Sequence, residues 1–401
     1  MYESVLNERQ PRADWLMLAA VFALMLMSVL FVASAKWPEE MASGTPWYGR
    51  CFFKQLVWCA VGCAAAGAVC LLDYRVLSRW SMVIYWGTVL LLILVLIPGI
   101  GSKRFGAQRW IDLGPLQFQP SEFAKLTFVF AQAHFLSRPR EELRQVRLFW
   151  KSLGMIALPF SLILIEPDLG SALVLFPVGL GMMLVAGVPA VYLRNFVIGV
   201  SAVVALMLAD VLFAPSGWRL PLEDYQRRRL LVFFGRDYAS ANATKEERLR
   251  LRRQQIDDSL NIRQALISVG SGGWGGVGWR QSSQIKGGFL PRNVAHNDFI
   301  FSVIAEEKGF LGSVTVLTLY TVVLFTGLRA AGQARDRLGK LLAVGIVALI
   351  FSHVFINIGM NIRLMPVTGI PLPFLSYGGS SVLCSWIAIG ILQNVYLYRK
   401  S

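Results

Sequence analysis

Apolar and polar stretches alternate along this chain in blocks of about twenty residues. The apolar blocks run over about 15–35, 51–72, 80–98, 120–137, 152–166, 170–188, 195–213, 300–328, 341–360 and 377–397. A bilayer core takes about 20 residues of helix to cross, and backbone polar groups in lipid must be satisfied within the segment. The pattern therefore predicts an all-α, polytopic membrane protein with about ten spans. The weak two-residue alternation of an outer-membrane barrel is absent. The first block ends Ala33-Ser34-Ala35, as a signal-peptidase site would, but it is longer than a signal core and reads as an uncleaved helix.

An even number of spans puts both termini on one side. Arg9 and Arg12, Arg75 and Arg79, the cluster from Arg138 to Lys151, Arg329 to Lys340, and Arg399 with Lys400 all fall on that side. Short loops rich in Lys and Arg stay in the cytoplasm, so that side is read as cytoplasmic. The one long polar segment, 214–299, falls outside. It is basic as well, but long loops translocate largely regardless of charge. Within it, Thr244 to Arg263 reads as a charged helix and Gly270 to Trp279 as a glycine-rich turn. The turn contains a literal G-x-G-x-x-G from Gly273 to Gly278, but no strand precedes it, so no dinucleotide fold is expected.

Of the 401 residues, 55% are hydrophobic and only 16% are charged, and the net charge is +15. In a membrane protein that charge belongs to cytoplasmic loops and anionic lipid head groups, and no nucleic-acid motif accompanies it. Five cysteines lie in or beside apolar spans and form neither a metal nor a disulfide framework. Three histidines make a histidine-rich metal site a poor expectation.

The unusual polar residues gather near the outer ends of the spans. Arg109 and Trp110, Glu122 and Lys125, Glu166 and Asp168, Asp298, and the stretch from Asn357 to Ser381 all lie there. Each also has a bland reading. Glu122 and Lys125, three apart on a helix, could pair with each other. Asp168 could cap the sixth span, and Arg109, Trp110 and Arg363 could be interfacial anchors. Asp298 stands directly before the eighth span, where it could cap the helix for about 1 kcal/mol or do proton chemistry at the water–membrane border. Met365 to Ser381 is harder to explain blandly. It holds Pro366, Pro371 and Pro373, which forbid an ordinary helix, and reads as a re-entrant loop lining a cavity.

Five motifs, in order, carry a resemblance. They are Gln108 to Gly114, Gln119 to Lys125, Glu166-Pro167-Asp168-Leu169-Gly170, His296-Asn297-Asp298-Phe299-Ile300-Phe301 with Ala305-Glu306-Glu307, and Pro366 to Ser381. Together they resemble the SEDS family of RodA, FtsW and the sporulation homologue, over nearly the whole chain. Gly270-Ser271-Gly272-Gly273-Trp274 with Gly278-Trp279 is more similar to the RodA, elongation, branch.

The resemblance implies one SEDS-type membrane domain over 1–401, ten spans and both termini inside. It implies a peptidoglycan glycosyltransferase of the cytoplasmic (inner) membrane, working on its outer face. The substrates would be lipid II and the undecaprenyl-linked nascent glycan. The partners would be a class B penicillin-binding protein, elongation-complex proteins and membrane lipid, with no nucleic acid. Asp298 matches the family's essential aspartate and would be the catalytic base.

Arg109, Trp110, Glu122, Lys125, Glu166, Asp168, His296, Arg363, Pro366, Thr368, Ser376, Gly378 and Gly379 are the substrate-binding candidates. Arg109, Lys125 and Arg363 could face a pyrophosphate, and a divalent cation (Mg or Mn) could share that task. Two departures stand out. Asn297 replaces the family's usual Thr, and a charged segment of about 239–258 replaces a shorter glycine-containing stretch. The rival classes are a lipid II flippase, the division-type (FtsW) paralogue, and a scaffold for the penicillin-binding protein. Charges set toward one face favour chemistry over transport, which usually places them near the midplane.

Overall fold

The structure, a computed structural model, describes residues 13–104, 107–114, 116–213, 224–236, 238, 245–290 and 294–400. Arg9, Arg12, the 214–223 stretch that opens the long loop, residues 239–244, and Pro291-Arg292-Asn293 lie outside the described residues.

Helices α1 (Trp15–Ala42), α2 (Cys51–Leu71), a short α3 (Tyr74–Arg79) and α4 (Ser81–Leu96) come first. Strands β1 (Gly101–Arg104), β2 (Ala107–Leu113) and β3 (Leu116–Phe118) follow, then α5 (Pro120–Leu136), a short α6 (Arg140–Leu143), α7 (Val146–Ile165), α8 (Leu169–Ala186) and α9 (Ala190–Phe213). The long loop contributes α10 (Asp224–Phe234), α11 (Lys245–Ser271) and a short α12 (Ser283–Lys286). Helices α13 (Ile300–Gln333), α14 (Arg337–Asn361) and α15 (Gly379–Leu397) complete the chain. Every one of the ten expected spans is a helix. Among the described residues eight are long and apolar enough to cross a bilayer, and α4 and α5 are shorter.

Several boundaries differ from the sequence reading: α7, α9 and α14 begin about four to six residues earlier than expected and α13 ends about five later. The first span runs on through Pro38 to Ala42, where Lys36 pairs with Glu39 at 2.7 Å. The charged loop helix continues to Ser271, taking in Gly270. The stretch Gly99 to Gln119 is a small antiparallel sheet in the order β1-β2-β3, with Ser102 opposite Trp110 and Ile111 opposite Phe118. A sheet is possible there because these residues lie beyond the end of α4, where water can satisfy its edges.

Almost every residue of α5 is buried, and α14 and α15 are buried over most of their length, so these helices form the centre. Helix α9 is nearly all exposed, as a lipid-facing helix should be. Close packing between spans relies on small residues. A Cβ on Gly390 would stand 2.8 Å from the Cα of Ala66, so glycine brings α15 onto α2.

One end of the bundle brings Asp14, at the start of α1, against Gln393 of α15. Asp14 N–H donates to Gln393 at 2.9 Å, Gln393 returns a bond to the Asp14 carbonyl at 3.0 Å, and Arg329 pairs with Asp14. Arg75 pairs with Asp336 at 2.9 Å at the same end. The sheet, the 166–168 turn, Asp298 and the 362–378 loop lie at the other.

The glycine-rich turn has a structural task. Helix α13 breaks at Gly309, and the turn fills the break. Val277 and Gly278 N–H donate to the Glu306 and Glu307 carbonyls, and Phe310 N–H donates to the Gly273 carbonyl at 2.8 Å. Gly276 has φ +81°, and a Cβ there would sit 2.2 Å from the Glu307 carbonyl oxygen. The Glu306 carboxylate accepts from Ser282, Ser283 and Gln284, and the Glu307 carboxylate accepts from Ser34 and Arg280, locking the turn in place.

Candidate active site

Asp298 does not cap α13. The residue at the cap position is Phe299, with no side-chain cap bond, and among the described residues nothing donates a hydrogen bond to the Asp298 carboxylate. The backbone of Asp298, by contrast, is tightly held. Asn357 Nδ2 and Asn361 Nδ2 each donate to its carbonyl at 3.1 Å. The same Asn357 Nδ2 donates to the Ile370 carbonyl at 2.7 Å, so one buried amide ties the aspartate to the proline-rich loop. Ser302 Oγ donates to Asn361 Oδ1 at 2.6 Å and fixes that amide in turn. A Cβ on Gly369 would stand 3.7 Å from Asp298 Oδ2, so the loop backbone passes directly over the carboxylate.

The loop between α14 and α15 is irregular and buried, as its prolines predict. Side chains from four helices satisfy its backbone. Ser28 donates to the Leu375 carbonyl at 2.8 Å, Gln55 to that of Ser376 at 3.2 Å, and Tyr320 to that of Pro373. His353 Nδ1 is 3.4 Å from the Pro371 carbonyl, and Asn357 holds Ile370. Ser376 Oγ donates to the Asn297 carbonyl at 2.6 Å and accepts from Leu372 N–H. Ser376 and Thr368 are thus buried and shape the loop. Pro366 is half-buried in it, and Gly378 precedes α15, where Gly379 packs on the Trp58 ring.

Asp168 caps α8, accepting from Ser171 N–H at 3.1 Å. Arg109, projecting from β2, binds the same turn. Its Nε donates to the Glu166 carbonyl at 3.1 Å, another N–H donates to the Pro167 carbonyl, and Nη1 is 3.8 Å from Asp168 Oδ1. Trp110, next along β2, is half-buried and takes a bond from Ser102 at its carbonyl. Glu166 is 0% exposed, and neither carboxyl oxygen has a hydrogen-bond partner among the described residues. Burial, then the Asp168 carboxylate, pushes its pKa up to about 9 against the pull of Arg109, so Glu166 is a neutral acid at pH 7.

Asp298 feels the same neighbourhood. Burial and the Asp168 carboxylate push it up to about 6, opposed by the Arg229 and Arg109 guanidiniums. That makes it mostly ionised, yet basic enough to take a proton near neutral pH. The structure therefore brings Asp298, Asp168 and Arg109 into one electrostatic cluster, with Glu166 beside Asp168. It adds Arg229 of α10, whose Nη1 donates to the Val367 carbonyl at 3.1 Å. Arg229, Asn357 and Asn361 escaped the sequence reading as individual residues. Two asparagines four apart on an otherwise apolar helix were the available signal.

Other candidates stand apart. Lys125 is 1% exposed and donates to Glu122 Oε1 at 2.5 Å, with His353 Nε2 at 3.1 Å. It is the buried mutual pair that the three-residue spacing allowed, beside a cavity of only about 30 Å³. His296 is buried, and burial with the Lys36 charge pushes its ring down to about 3, so it is neutral. Its carbonyl accepts from Tyr377 N–H at 3.0 Å. Arg363, at φ +60° just past α14, is exposed and lines a separate cavity. The described residues contain no cluster of three or more His, Cys, Asp or Glu shaped to hold a metal ion. They do not fit a protein-built cation cage.

The family model described as "Cell cycle protein", covering FtsW, RodA and SpoVE, matches residues 14–401. This chain belongs to the FtsW/RodA/SpoVE family. Stage V sporulation protein E of Bacillus subtilis is 34% identical over 390 residues, covering 96% of this chain and 97% of that one. The peptidoglycan glycosyltransferase MrdB of Escherichia coli K12 is 33% identical over 328 residues, covering 81% and 80%. In three dimensions, a chain of a peptidoglycan synthase complex that coordinates polymerization and crosslinking matches with a TM-score of 0.76 at 28% identity, covering 97% of this chain and 99% of that one. As a member of the FtsW/RodA/SpoVE family, the chain is an all-α multi-pass membrane protein, and the small sheet is its one β element among the described residues.

Proposed function

We propose that this chain is a peptidoglycan glycosyltransferase that polymerises lipid II, with Asp298 as the general base. The observation that carries the reading is the state of Asp298. It caps nothing, its backbone is gripped by Asn357 and Asn361, and burial raises its pKa to about 6. A carboxylate held so firmly but left without a hydrogen-bond donor among the described residues is arranged for a substrate proton.

The reaction is one displacement. The acceptor sugar 4-hydroxyl attacks the anomeric carbon of the donor, its proton passes to the Asp298 carboxylate, and the sugar–phosphate bond breaks to release the polyprenyl diphosphate. A single base suffices because the displacement inverts the anomeric centre. The leaving group gathers negative charge, and Arg229 is the cation best placed near Asp298 to meet it. Arg109 acts mainly by fixing the 166–168 turn.

The site lies on the outer face of the cytoplasmic membrane. The opposite end carries Arg75, Arg329 and Arg337 on short connections, the cytoplasmic signature. A class B penicillin-binding protein is the partner, a reading supported by the likeness to a chain of a polymerizing and crosslinking complex. The elongation role rests on the glycine-rich turn from Gly270 to Trp279. It is tested by whether the gene rescues rod shape in elongation-depleted cells or septation in division-depleted ones.

The enzymatic test supplies labelled lipid II to the purified protein, alone and with its transpeptidase-blocked partner, and resolves glycan chains on a gel. Polymer is expected. No polymer under either condition, with lipid II crossing liposome membranes instead, would make the chain a flippase.

A further inference from the structure

Two arginines and two tryptophans stack at the outer ends of α1 and α2, against the glycine-rich turn. The Arg280 guanidinium lies 3.6 Å from the Trp37 ring centroid and 4.1 Å from that of Trp279, and the Arg50 guanidinium lies 5.9 Å from the Trp37 ring. Trp37 belongs to α1, Arg50 directly precedes α2, Trp279 ends the glycine-rich turn and Arg280 follows it. Local bonds hold the stack in place. Arg280 N–H donates to Glu307 Oε1 at 3.1 Å, and Trp279 Nε1 donates to the Leu30 carbonyl at 3.4 Å. Arg280 itself sits at φ +59°, a left-handed conformation uncommon for any residue but glycine.

Stacking and hydrogen bonding use different parts of a guanidinium. Its faces meet aromatic rings, whereas its N–H groups point outward in its own plane. With indoles over its faces, Arg280 is left with that in-plane edge. Among the described residues the edge has no acceptor: the guanidinium makes no hydrogen bond or ion pair, and its Nε is buried without a partner. The carboxylates close by are committed elsewhere. Glu39 pairs with Lys36, Glu40 accepts from Cys51 N–H at 2.6 Å, and Glu307 accepts from Ser34 and from the Arg280 backbone. Arg50 donates only its Nε, to the Thr45 carbonyl at 3.2 Å. Burial disfavours the Arg280 charge, Glu307 opposes that, and the Arg50 charge adds to it. An oxyanion accepting from both guanidiniums would relieve the repulsion and fill the empty edge.

The surroundings select the kind of oxyanion. Trp47 and Tyr48, in the connection between α1 and α2, are exposed, as is Trp279. Such residues mark the head-group level of a bilayer. Helix α2 is mostly exposed, so it faces lipid, and a phosphate carried at the membrane surface reaches the stack from the side. The stack also stands apart from the reaction site. It meets α13 at Glu307, seven residues and about 10 Å along the axis from Ile300, whereas the carboxylate cluster lies before that helix begins.

We propose that Arg280 and Arg50 form an outer-leaflet site for the phosphate of an anionic phospholipid. The in-plane N–H groups of Arg280 grip the phosphate oxygens, Arg50 adds a second charge, and Trp37 and Trp279 hold the fork in orientation. The glycine-rich turn fills the break in α13, so a lipid bound beside Trp279 would tie that break to the composition of the outer leaflet. The site is independent of the reaction assigned to Asp298.

The test is photo-crosslinking on the full chain in phosphatidylcholine nanodiscs. A trace of phosphatidylglycerol carries a photoactivatable group beside its phosphate, and mass spectrometry maps the adducts. The wild type should be labelled on peptides containing Trp37, Trp47 or Trp279. Unlabelled phosphatidylglycerol should compete, and zwitterionic phosphatidylethanolamine at the same fraction should not. Arg50→Gln/Arg280→Gln should lower the labelling about tenfold, while Arg79→Gln, at the opposite end of the bundle, should leave it unchanged. No labelling of these peptides in the wild type, or equal competition by the two lipids, would overturn the proposal whether or not the variant folds. So would unchanged labelling in the folded double variant. Inorganic phosphate competing as well as phosphatidylglycerol would mark a site for free oxyanions and overturn the lipid assignment.

Discussion

Asn357 is the most exacting place to perturb the site, because its single amide group bridges two backbone segments. Its Nδ2 donates to the Asp298 carbonyl at 3.1 Å and the Ile370 carbonyl at 2.7 Å, and it is fully buried. Asn357→Ala removes both bonds. The Asp298 carbonyl keeps Asn361 at 3.1 Å, whereas the Ile370 carbonyl loses its side-chain donor. Two net hydrogen bonds contribute about 1 kcal/mol each, and an orphaned buried carbonyl adds about 1–3 kcal/mol, so the variant should lose about 3–5 kcal/mol. The effect on rate should exceed what stability explains. With the aspartate and the Gly369 backbone no longer coupled, a displacement of about 1 Å would cost about 10²-fold in kcat.

The assay is glycan polymerisation at a temperature where the variant remains folded, with thermal unfolding measured in the same detergent. A lower unfolding temperature with kcat down about 10²-fold and KM little changed supports the bridge. An unfolded fraction near zero with kcat within about twofold of wild type would refute it, since about 0.4 kcal/mol of barrier is all that such a change represents.

Three further outcomes follow from the same geometry. The polymerisation rate should fall as pH drops through about 6, where Asp298 takes its proton; Asp168→Asn removes a raising charge and should move that limb to lower pH, and Arg229→Gln should move it higher, as read from pH–rate profiles. Lys125→Met should cost about 3–5 kcal/mol by leaving Glu122 buried and unpaired, while Glu122→Gln/Lys125→Met should recover much of the stability and activity; an inactive but stable double variant would place the pair in the chemistry. Glu166→Gln mimics the neutral acid that its pKa of about 9 implies, so the rate at pH 7 should stay close to wild type and the unfolding temperature should be no lower. The unfolded chain ionises near 4.5 while the folded group holds its proton up to about 9, so the wild type should lose stability relative to the variant as pH rises from about 4.5 to about 9 and level off above that.

The spans were legible because bilayer thickness imposes a coarse period that survives any detail of packing. Gly99 to Gln119 was not, because its strands are short and polar and pair outside the apolar stretches. The proline-rich loop between α14 and α15 announced itself as irregular, but the sequence could not say that Ser28, Gln55, Tyr320 and Asn357, from four helices spread over the chain, satisfy its backbone. The same limit hid Asn361 and Arg229, whose importance is tertiary. The local ambiguity at Asp298, cap or base, needed the helix start itself: the cap position falls one residue later, at Phe299, without a side-chain cap bond, and α13 begins at Ile300. The spacing of Glu122 and Lys125 supported both readings, and the depth at which they sit makes the pair structural in its contacts.

The central claim is that Asp298 takes the acceptor proton. The most direct measurement compares wild type and Asp298→Asn, each with the partner present, in lipid II polymerisation, with lipid II affinity and unfolding temperature measured alongside. The account predicts no polymer from Asp298→Asn at unchanged lipid II affinity, with an unfolding temperature at pH 8 no lower than wild type, because a charge that its surroundings disfavour, with no donor among the described residues, has been removed. Polymer from a well-folded Asp298→Asn at the wild-type rate would contradict it.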